Sequence, residues 1–519
     1  MEADQMQTYR LGIDVGGTNT DAVILDDTDE PIVQTKTPTT EDITTGIVNA
    51  LDDVLADSDI TTDEIGYVML GTTHATNAIT ERRGLNEVGI IRLGAPATLS
   101  IDPLLEWPDD LAAAIGNNYA ILDGGHEFDG RELNDLDEDQ VLETIESFDH
   151  VDAFAVTSVF SPVRSDHEER VAELIREHID DVPVSVSNEI GSVGLLEREN
   201  ATILNAALTS VAADAANAFI DAMDERDIDA ELYFGQNDGT LMAVDYALEY
   251  PIFTVASGPS NSVRGAAYLS GIEDGIIVDV GGTTTDVGAI SDGFPRESSV
   301  AVEIGEVKTN FRMPDLLSIG LGGGSHVNND GGAVTVGPES VGYRLTEEGL
   351  SFGGDVLTAT DIAVAAGLAD IGEVDPVIDA EIVEAASAFI QERVERTVDR
   401  MKTSPDDVPV VIVGGGSILV EDDLSGASEV YRPDHFEVAN AVGVAIAQVS
   451  GQIDRIYSLD EVDRDVAMDD AKEQATSDAI EAGADGDTVD IVEVEEVPLS
   501  YLPGNATRIK VKAAGDLAH

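Results

Sequence analysis

The sequence predicts an α/β protein of two related lobes that face each other, followed by a small C-terminal α+β element. Three observations carry this prediction: an internal repeat, alternating helical and extended segments, and a third glycine-rich turn after a buried strand. In the repeat, residues 13–21 and 278–286 are identical at seven of nine positions. One repeat at so long an offset does not fit a solenoid or propeller and indicates two related half-domains.

Each copy of the repeat joins two short apolar runs through a glycine turn, which predicts a β-hairpin. Elsewhere, amphipathic helical segments alternate with short apolar runs, as in α/β layers. Helices are predicted at 44–55, 137–148, 166–179, 200–223, 380–401, 438–449 and 467–482, and strands at 68–70, 89–93, 153–156, 182–186, 408–413, 488–494 and 508–511. We therefore predict a first lobe over 1–195, a second over 196–454 and the small element over 455–519.

The charge is strongly negative, with 27 basic and 103 acidic residues and a formal net charge of −76. Such a surface repels phosphate backbones and anionic lipids, so we expect neither nucleic acid nor membrane as a partner. Because the acidic residues are spread along the whole chain, they do not form an acidic tail. Molar salt would screen their repulsion, which leads us to expect a high-salt cytoplasm.

Cysteine is absent, which excludes disulfides, thiolate metal sites and a cysteine nucleophile. The N-terminus lacks the basic and apolar regions of a signal peptide. No run of 18 apolar residues occurs, so no transmembrane helix is expected. These features together predict a soluble, cytoplasmic protein.

The chemistry of the two hairpins fits a polyphosphate. Paired glycines let backbone N–H groups approach an anion closely, and successive amides in such a turn form an anion-binding nest. The aspartate that precedes each turn, Asp14 or Asp279, suits Mg²⁺, directly or through water. Two facing hairpins would clamp a phosphate chain, although a single copy is equally read as a plain tight turn.

The third glycine turn, Gly414-Gly415-Gly416-Ser417, follows the apolar run 408–413. Taken alone it is no more than a strand-to-helix turn. Together with the hairpins it becomes the candidate adenosine loop, because nucleotides bind at glycine-rich strand ends in α/β sheets. The pattern is neither a Walker A loop nor a Rossmann fingerprint.

These motifs resemble the actin/hexokinase/Hsp70 ATPase superfamily, with its actin-like, ribonuclease H-like lobes. More narrowly, the chain resembles the A-type subunit of the hydantoinase/oxoprolinase family. The segments that carry this resemblance are 12–21, 71–78, 81–84, Gly124-Gly125-His126-Glu127, Glu197-Arg198 with Thr202 and Asn205, Ser257-Gly258-Pro259, the hairpin at Asp279, and 319–325.

The resemblance implies an ATP-dependent hydrolase subunit that phosphorylates a cyclic amide, of the hydantoin, N-methylhydantoin or 5-oxoproline type, for ring opening. A B-type subunit would then complete the reaction, and an oligomer is expected. The resemblance also leaves a ketone carboxylase subunit, a small-molecule kinase and a non-catalytic nucleotide-binding regulator as alternatives.

The resemblance assigns roles residue by residue. Asp14 and Asp279 would bind Mg²⁺ and act in catalysis. Residues expected to hold ATP are Gly16, Gly17, Thr18, Asn19, Gly281, Gly282, Thr283, Thr284, Gly414, Gly415 and Gly416. Residues expected to contact substrate are Thr72, Thr73, Asn77, Gly323, Gly324 and Ser325, with Gly322 on the same loop.

Other interpretations of several motif residues stay open. Thr72 or Thr73 would also serve as a helix N-cap, and the loop around Gly323 would serve phosphate as well as substrate. Asp21 and Asp286 are expected to be structural. His74, His126 and His326 show no metal-ligand spacing and are expected to be surface or hydrogen-bonded loop residues.

Overall fold

The computed structural model describes residues 8–17, 19–39, 43–148, 150–191, 193–291, 293–298, 302–311, 313–330, 333–460, 462–499 and 504–518. The strands are β1 Tyr9–Val15, β2 Asn19–Leu25, β3 Pro31–Pro38, β4 Ile65–Thr72, β5 Val88–Ala95, β6 Asn118–Asp123, β7 Ala153–Ser158, β8 Val184–Val186, β9 Glu231–Gly235, β10 Leu241–Ala243, β11 Gly275–Val280, β12 Thr285–Ser291, β13 Phe294–Pro295, β14 Val302–Ile304, β15 Val307–Thr309, β16 Leu316–Ile319, β17 Ser325–Asp330, β18 Ala333–Ser340, β19 Val408–Val413, β20 Ala427–Tyr431, β21 Val449–Ser458, β22 Asp490–Pro498 and β23 Ala506–Gly515. The helices are α1 Ile43–Ala56, α2 His74–Glu81, α3 Asp109–Ala114, α4 Glu138–Ser147, α5 Asp166–His178, α6 Ser187–Ile190, α7 Leu195–Asp224, α8 Val244–Glu249, α9 Ser257–Ser270, α10 Leu345–Glu348, α11 Ala359–Ala365, α12 Ala380–Met401, α13 Ala439–Ala445 and α14 Arg464–Glu481.

Two sheets share one plan, which confirms the predicted α/β fold of two related lobes. In the first sheet, β2 pairs with β1 in antiparallel orientation, whereas β1 pairs with β4 and β4 pairs with β9 in parallel orientation. In the second sheet, β12 pairs with β11 in antiparallel orientation, whereas β11 pairs with β19 and β19 pairs with β20 in parallel orientation. The repeat therefore occupies the same place in both sheets, in the hairpin that precedes the parallel strands.

A third sheet, the inserted sheet, is formed by the part of the sequence that lies between β4 and β9, two strands that are neighbours in the first sheet. Its order is β6-β5-β7-β8, and all neighbouring strands are parallel. Parallel strands covered on both faces are buried along their whole length, as in β5 and β7, whose residues are mostly apolar apart from the ion-paired Arg92 and two hydroxyl residues at the end of β7. This sheet has its own apolar core, with α4 and α5 packed against it.

The first sheet combines segments that are distant in the sequence. Its full order is β22-β23-β21-β10-β9-β4-β1-β2-β3, so the C-terminal strands extend the sheet of the N-terminal hairpin. The predicted division at 195/196 falls at the start of α7, and that at 454/455 falls inside β21. We accordingly propose a division by sheet, in which 449–518 belongs with the first lobe.

Most predicted elements form, with one clear error in the second half. The predicted helix 438–449 is wrong over its last residues: α13 ends at Ala445 and β21 begins at Val449. Residues 449–458 pair with β23 over their whole length, and this pairing outweighs the helical pattern.

Helix α7 is long and apolar enough to cross a membrane by length and composition alone. Within its most apolar window, 56% is buried in the protein. Its alanines and large apolar residues pack into the main hydrophobic core between the first and third sheets. A core helix of this kind passes the same test.

Candidate active site

Two pairs of carboxylates lie at the two hairpins. Asp14 pairs across β1–β2 with Asp21, and Asp279 pairs across β11–β12 with Asp286. The charge of Asp279 contributes to a raised pKa in each of the other three residues. Asp279 therefore lies close enough to the first hairpin for its charge to act on Asp14 and Asp21.

The two hairpin turns close in the same way. The Gly16 N–H donates to the Asn19 carbonyl at 3.0 Å, and the Gly281 N–H donates to the Thr284 carbonyl at 2.9 Å. Apart from its own chain neighbours, no described atom lies within 4 Å of the position that a Cβ on Gly17 would occupy. Gly17 is also exposed, so this part of the first turn is open.

The remaining predicted phosphate residues lie at the same turns. Gly282 and Thr283 are partly exposed and Thr284 is exposed, whereas Thr18 lies outside the described residues. Their roles toward ATP stay predictions.

Asp14 is buried at the junction of several elements. The side-chain amides of Asn261 and Asn440 donate to its two oxygens at 3.3 and 2.8 Å. Burial, followed by the charge of Asp21, raises the pKa of Asp14 to about 6. A Cβ on Gly71 would lie 2.2 Å from Asp14 Oδ1, so the glycine of the 71–78 motif is needed for this close approach.

The crossing of α9 and α13 brings the two asparagines to Asp14. A Cβ on Gly265 would lie 1.7 Å from the Ala439 carbonyl oxygen, and one on Gly443 would lie 1.8 Å from the Asn261 carbonyl oxygen. The helices therefore pack backbone to backbone. Asn261 and Asn440 were missed at the sequence level because only this long-range crossing gives them a role.

Asp279 is enclosed by the third glycine turn. A Cβ on Gly414, where φ is +84°, would lie 2.2 Å from Asp279 Oδ1. Burial raises the pKa of Asp279, and a hydrogen bond from Ser262 opposes that shift. Burial also raises the pKa of Asp286 to about 6, against a hydrogen bond from Ser318. Both carboxylates of this hairpin would gain from a nearby cation.

Lys36 supplies a cation between the lobes and was not foreseen. From β3, its Nζ donates to Asp21 Oδ1 at 2.5 Å and to the Glu437 carbonyl at 2.9 Å. Its Cε lies 3.8 Å from the position of a Cβ on Gly415, and its charge lowers the pKa of Asp279. Lys36 thus connects the first hairpin to the second lobe.

The sequence did hold a signal for Lys36. The chain has only six lysines among 519 residues. In so acidic a protein, a lysine on the strand next to the first phosphate hairpin is an uncommon choice.

The third glycine turn is held by two of its three amides, one of which bonds the second hairpin. The Gly416 N–H donates to the Val280 carbonyl at 2.7 Å, and the Gly414 N–H donates to the Phe436 carbonyl at 2.9 Å. Gly415 is exposed between them. Contact with adenosine stays a prediction, with Gly415 as the accessible member.

The 322–325 loop packs on the second hairpin turn. The Gly323 and Gly324 N–H groups donate to the carbonyls of Gly281 and Gly282 at 3.0 and 2.7 Å. Ser325 is fully buried, and its hydroxyl accepts from the Gly322 N–H at 2.9 Å. These groups hold the second hairpin turn in place, while their contact with substrate stays a prediction.

The 72–77 segment leads from β4 into α2. Thr73 donates to the Val15 carbonyl through both its N–H and its hydroxyl, each at 3.3 Å. The Thr72 hydroxyl accepts from the His74 N–H at 3.1 Å, which is a local turn contact. The N-cap position of α2 falls on Thr73, whose side chain makes no capping hydrogen bond within the described helix. Asn77 is exposed beside Thr73. The structure thus places Thr73 against the end of the first hairpin strand.

The three motif histidines differ from one another. His74 is partly buried, and burial lowers its pKa. His326 is about a third exposed and lies 3.8 Å from Glu339. The expectation of a surface or hydrogen-bonded loop residue is wrong for His126, whose ring is fully buried with neither nitrogen hydrogen-bonded.

Two family models match the chain over most of its length. Residues 10–179 match the hydantoinase/oxoprolinase N-terminal region, and residues 198–375 match the hydantoinase/oxoprolinase model. The first match covers the hairpin at Asp14 and strands β5 to β7 of the inserted sheet. The second covers most of α7, all of α9 and the hairpin at Asp279.

Curated relatives are more distant. The caprolactamase subunit alpha of Pseudomonas jessenii is 29% identical over 394 residues, covering 70% of this chain and 55% of that protein. The acetophenone carboxylase gamma subunit of Aromatoleum aromaticum is 28% identical over 391 residues, covering 69% and 53%. The chain thus spans about half the length of these relatives.

Two solved structures share the fold over nearly the whole chain. The ATP-dependent caprolactamase of Pseudomonas jessenii has a TM-score of 0.77 at 20% identity and covers 98% of this chain and 88% of that one. Nucleotide-free acetone carboxylase has a TM-score of 0.68 at 17% identity, with the same coverage. At these identities the likeness establishes the fold alone.

Proposed function

Because the chain belongs to the hydantoinase/oxoprolinase family, we propose that it phosphorylates the carbonyl oxygen of a cyclic amide and so activates the ring for opening. One observation carries the proposal: two hairpins of the same construction face each other with Asp14 on one, Asp279 on the other and Lys36 between them. A cleft of this construction, with a carboxylate on each wall, would bind a polyphosphate at its turns.

The chemistry follows from the residues of the cleft. An amide carbonyl is a poor electrophile, so its oxygen would first attack the γ-phosphorus of ATP, and the bond from that phosphorus to ADP would break. The turn amides around Gly16 and Gly281 would hold phosphate oxygens. Positioning and charge stabilisation supply most of the catalysis in such transfers.

Mg²⁺ fits the same site. Asp14 and Asp279 offer hard oxygen ligands, and burial raises the pKa of both carboxyl groups, so a nearby cation would stabilise their anions. When bound, Mg²⁺ would neutralise charge on the phosphates. Lys36 would hold Asp21 ionised and the two lobes together from the other side.

A B-type partner is part of the proposal. The names of the relatives describe subunits, alpha in caprolactamase and gamma in acetophenone carboxylase. The phosphorylated amide would pass to such a subunit for hydrolysis. A carboxylase subunit is the second candidate, supported by the acetophenone carboxylase relative and the acetone carboxylase fold.

The setting is also a proposal. A net charge of −76 supports a high-salt cytoplasm, where screening removes the self-repulsion. The assay is therefore set in ~2–3 M KCl, a level that follows from the screening length.

The test measures ATP binding and phosphate release separately. The wild type is compared with Asp14→Asn, Asp279→Asn and the exposed control Asp53→Asn, with hydantoin, N-methylhydantoin, 5-oxoproline, caprolactam or acetone added in turn. We expect Mg²⁺-dependent ATP binding in the wild type and the control, and at least about a hundredfold loss of stimulated turnover in the other two. The partner subunit is added where phosphate release alone stays at background.

The outcomes separate the candidates. Stimulation by a cyclic amide supports the hydrolase, stimulation by a ketone supports the carboxylase, and a stable phosphoproduct supports a kinase. ATP binding without stimulated turnover in the presence of partner supports a regulator. Absence of ATP binding by the folded wild type would overturn the phosphate clamp.

A further inference from the structure

The inserted sheet has a crevice of its own. From β5 the chain crosses to β6 on one side and later to β7 on the other, so the strand order reverses at β5. Ligands of open parallel α/β sheets bind at the carboxyl ends of the strands at such a point. The ATP cleft lies at other sheets, so this edge is unused by the proposed function.

Three potential metal ligands meet at this edge. His126 lies just beyond the end of β6, and Asp166 and His167 open α5 after β7. Nε2 of His126 lies 3.1 Å from Oδ1 of Asp166, and one ligand atom from each of the three residues lies within 4.8 Å of the others. The elements that converge here do so only through the fold, since 40 positions separate His126 from Asp166.

The cluster leaves polar atoms without partners. Both ring nitrogens of His126 and Oδ1 of Asp166 are buried and lack a hydrogen-bond partner among the described residues. The His126 ring is fully buried, so bulk solvent does not satisfy its nitrogens. Buried polar groups are nearly always satisfied, and Nε2 of His126 and Oδ1 of Asp166, which lie 3.1 Å apart, are placed to share one bound ion.

The surroundings hold this set in place. Arg164 donates to the other oxygen of Asp166, Oδ2, at 2.6 Å. The next residue of α5, Glu168, is fully buried and accepts from the Ser187 hydroxyl at 2.5 Å and the Asn188 N–H at 3.0 Å. Such outer hydrogen bonds orient metal ligands in metalloproteins.

We propose that His126, Asp166 and His167 bind one divalent first-row transition-metal ion, with Zn²⁺ as the preferred ion. Imidazole nitrogens favour Zn²⁺ over the Mg²⁺ of the ATP cleft, and three protein ligands leave a position for water or a ligand oxygen. His167 Nδ1 accepts from the Gly125 N–H at 3.0 Å, and a metal on that nitrogen replaces this bond. Metal binding at Nε2 of His126 and Oδ1 of Asp166 would break no hydrogen bond, because neither atom has a hydrogen-bond partner among the described residues.

The test is metal retention by the full chain. The protein is dialysed with Zn²⁺ in the presence of a large excess of Mg²⁺, which saturates surface carboxylates, and bound Zn²⁺ is then counted. We expect one Zn²⁺ per chain in the wild type and at least about tenfold weaker binding in His126→Ala and Asp166→Asn. His178→Ala removes an exposed imidazole from the other end of α5 and should retain the ion.

Replacement of Zn²⁺ by Co²⁺ gives a second readout. We expect a visible ligand-field band in the wild type and in His178→Ala, lost in Asp166→Asn. Asp166 is partly exposed, so this variant should fold even where His126→Ala does not. Wild type that retains no Zn²⁺ against Mg²⁺, or folded His126→Ala and Asp166→Asn that retain as much as wild type, would overturn the proposal.

Discussion

Replacing Lys36 by methionine tests the electrostatics of the cleft without touching either proposed Mg²⁺ ligand. The change removes the ammonium that donates to Asp21 Oδ1 at 2.5 Å and to the Glu437 carbonyl at 2.9 Å. Asp21 is 2% exposed, so its carboxylate is left buried without a cation. We expect a less stable protein with weaker attachment between the first hairpin and the second lobe.

The size of the effect follows from the geometry. Two unit charges 2.5 Å apart attract by roughly 7 kcal/mol at an effective dielectric constant of 20. Breaking a buried pair by removing one partner costs ~3–5 kcal/mol after solvation. Since the Lys36 side chain is 31% exposed, water replaces part of its contribution, and we expect a loss of about 2–3 kcal/mol in the free energy of unfolding.

The pH dependence has a definite sign. Burial is the largest cause that raises the pKa of Asp21 above its ordinary value of 3.8, and Lys36 opposes it. Because the pKa of Asp21 is higher in the folded protein than in the unfolded chain, protonation of Asp21 stabilises the fold. This stabilisation is fully present below pH 3.8 and is lost as the pH rises through the pKa of Asp21 in the folded protein. Without Lys36 that pKa rises further, so the cost of Lys36→Met should be larger at about pH 7.5 than at about pH 4.5.

The assay is urea unfolding in molar KCl at both pH values. Lys308→Met is the matched control, because Lys308 is 56% exposed and lies 3.7 Å from Glu106. Asp21→Asn in the Lys36→Met background should recover most of the loss, since it removes the unpaired charge. Equal stability of Lys36→Met and Lys308→Met, or no recovery in the double variant, would refute the reasoning.

Two further predictions concern packing. Gly414→Ala and Gly271→Ala both place a Cβ at a position of positive φ, but only the Cβ at position 414 would meet Asp279 Oδ1, at 2.2 Å. We therefore expect Gly414→Ala to lower the free energy of unfolding, measured in urea, by at least about 2 kcal/mol more than Gly271→Ala, and to weaken ATP binding. Equal losses in the two variants would contradict the close approach. Arg92 Nε donates to Glu199 Oε1 at 2.7 Å with both side chains fully buried, so Arg92→Met should cost about 3–5 kcal/mol in unfolding. The 81% exposed Arg83→Met should stay within about 0.5 kcal/mol of wild type, and a similar value for Arg92→Met would show that this pair does not stabilise the inserted sheet against α7.

Local patterns predicted those parts of the site that depend on neighbouring residues. A hairpin with Asp-x-Gly-Gly-Thr needs only its own strands and turn, and both copies form with the same closing hydrogen bond. Helix α12 was predicted at its observed bounds, Ala380–Met401, because it is amphipathic over its whole length. Where propensity, pattern and tertiary packing agree, the sequence is sufficient.

Long-range pairing decides the parts that were missed. The pattern over 438–449 is helical, yet Val449 starts a strand because β21 finds β23 some 60 residues later. The C-terminal strands likewise read as an appended element, and only the pairing of β21 with β10 joins them to the first sheet. The spacing of residues in a sequence does not indicate which strand of a sheet has an unpaired edge where a distant strand can add.

The same limit applies to the residues around Asp14. In the sequence, Asn261 and Asn440 look like ordinary helical asparagines. They donate hydrogen bonds to the Asp14 carboxylate because the glycines at 265 and 443 let α9 and α13 pack in direct backbone contact. The glycines were visible in the sequence, but their partner helices were not. Burial raises the pKa of Asp14 to about 6, and the hydrogen bonds from these two distant asparagines oppose that shift, so a family resemblance finds the carboxylate more readily than the groups that control its charge.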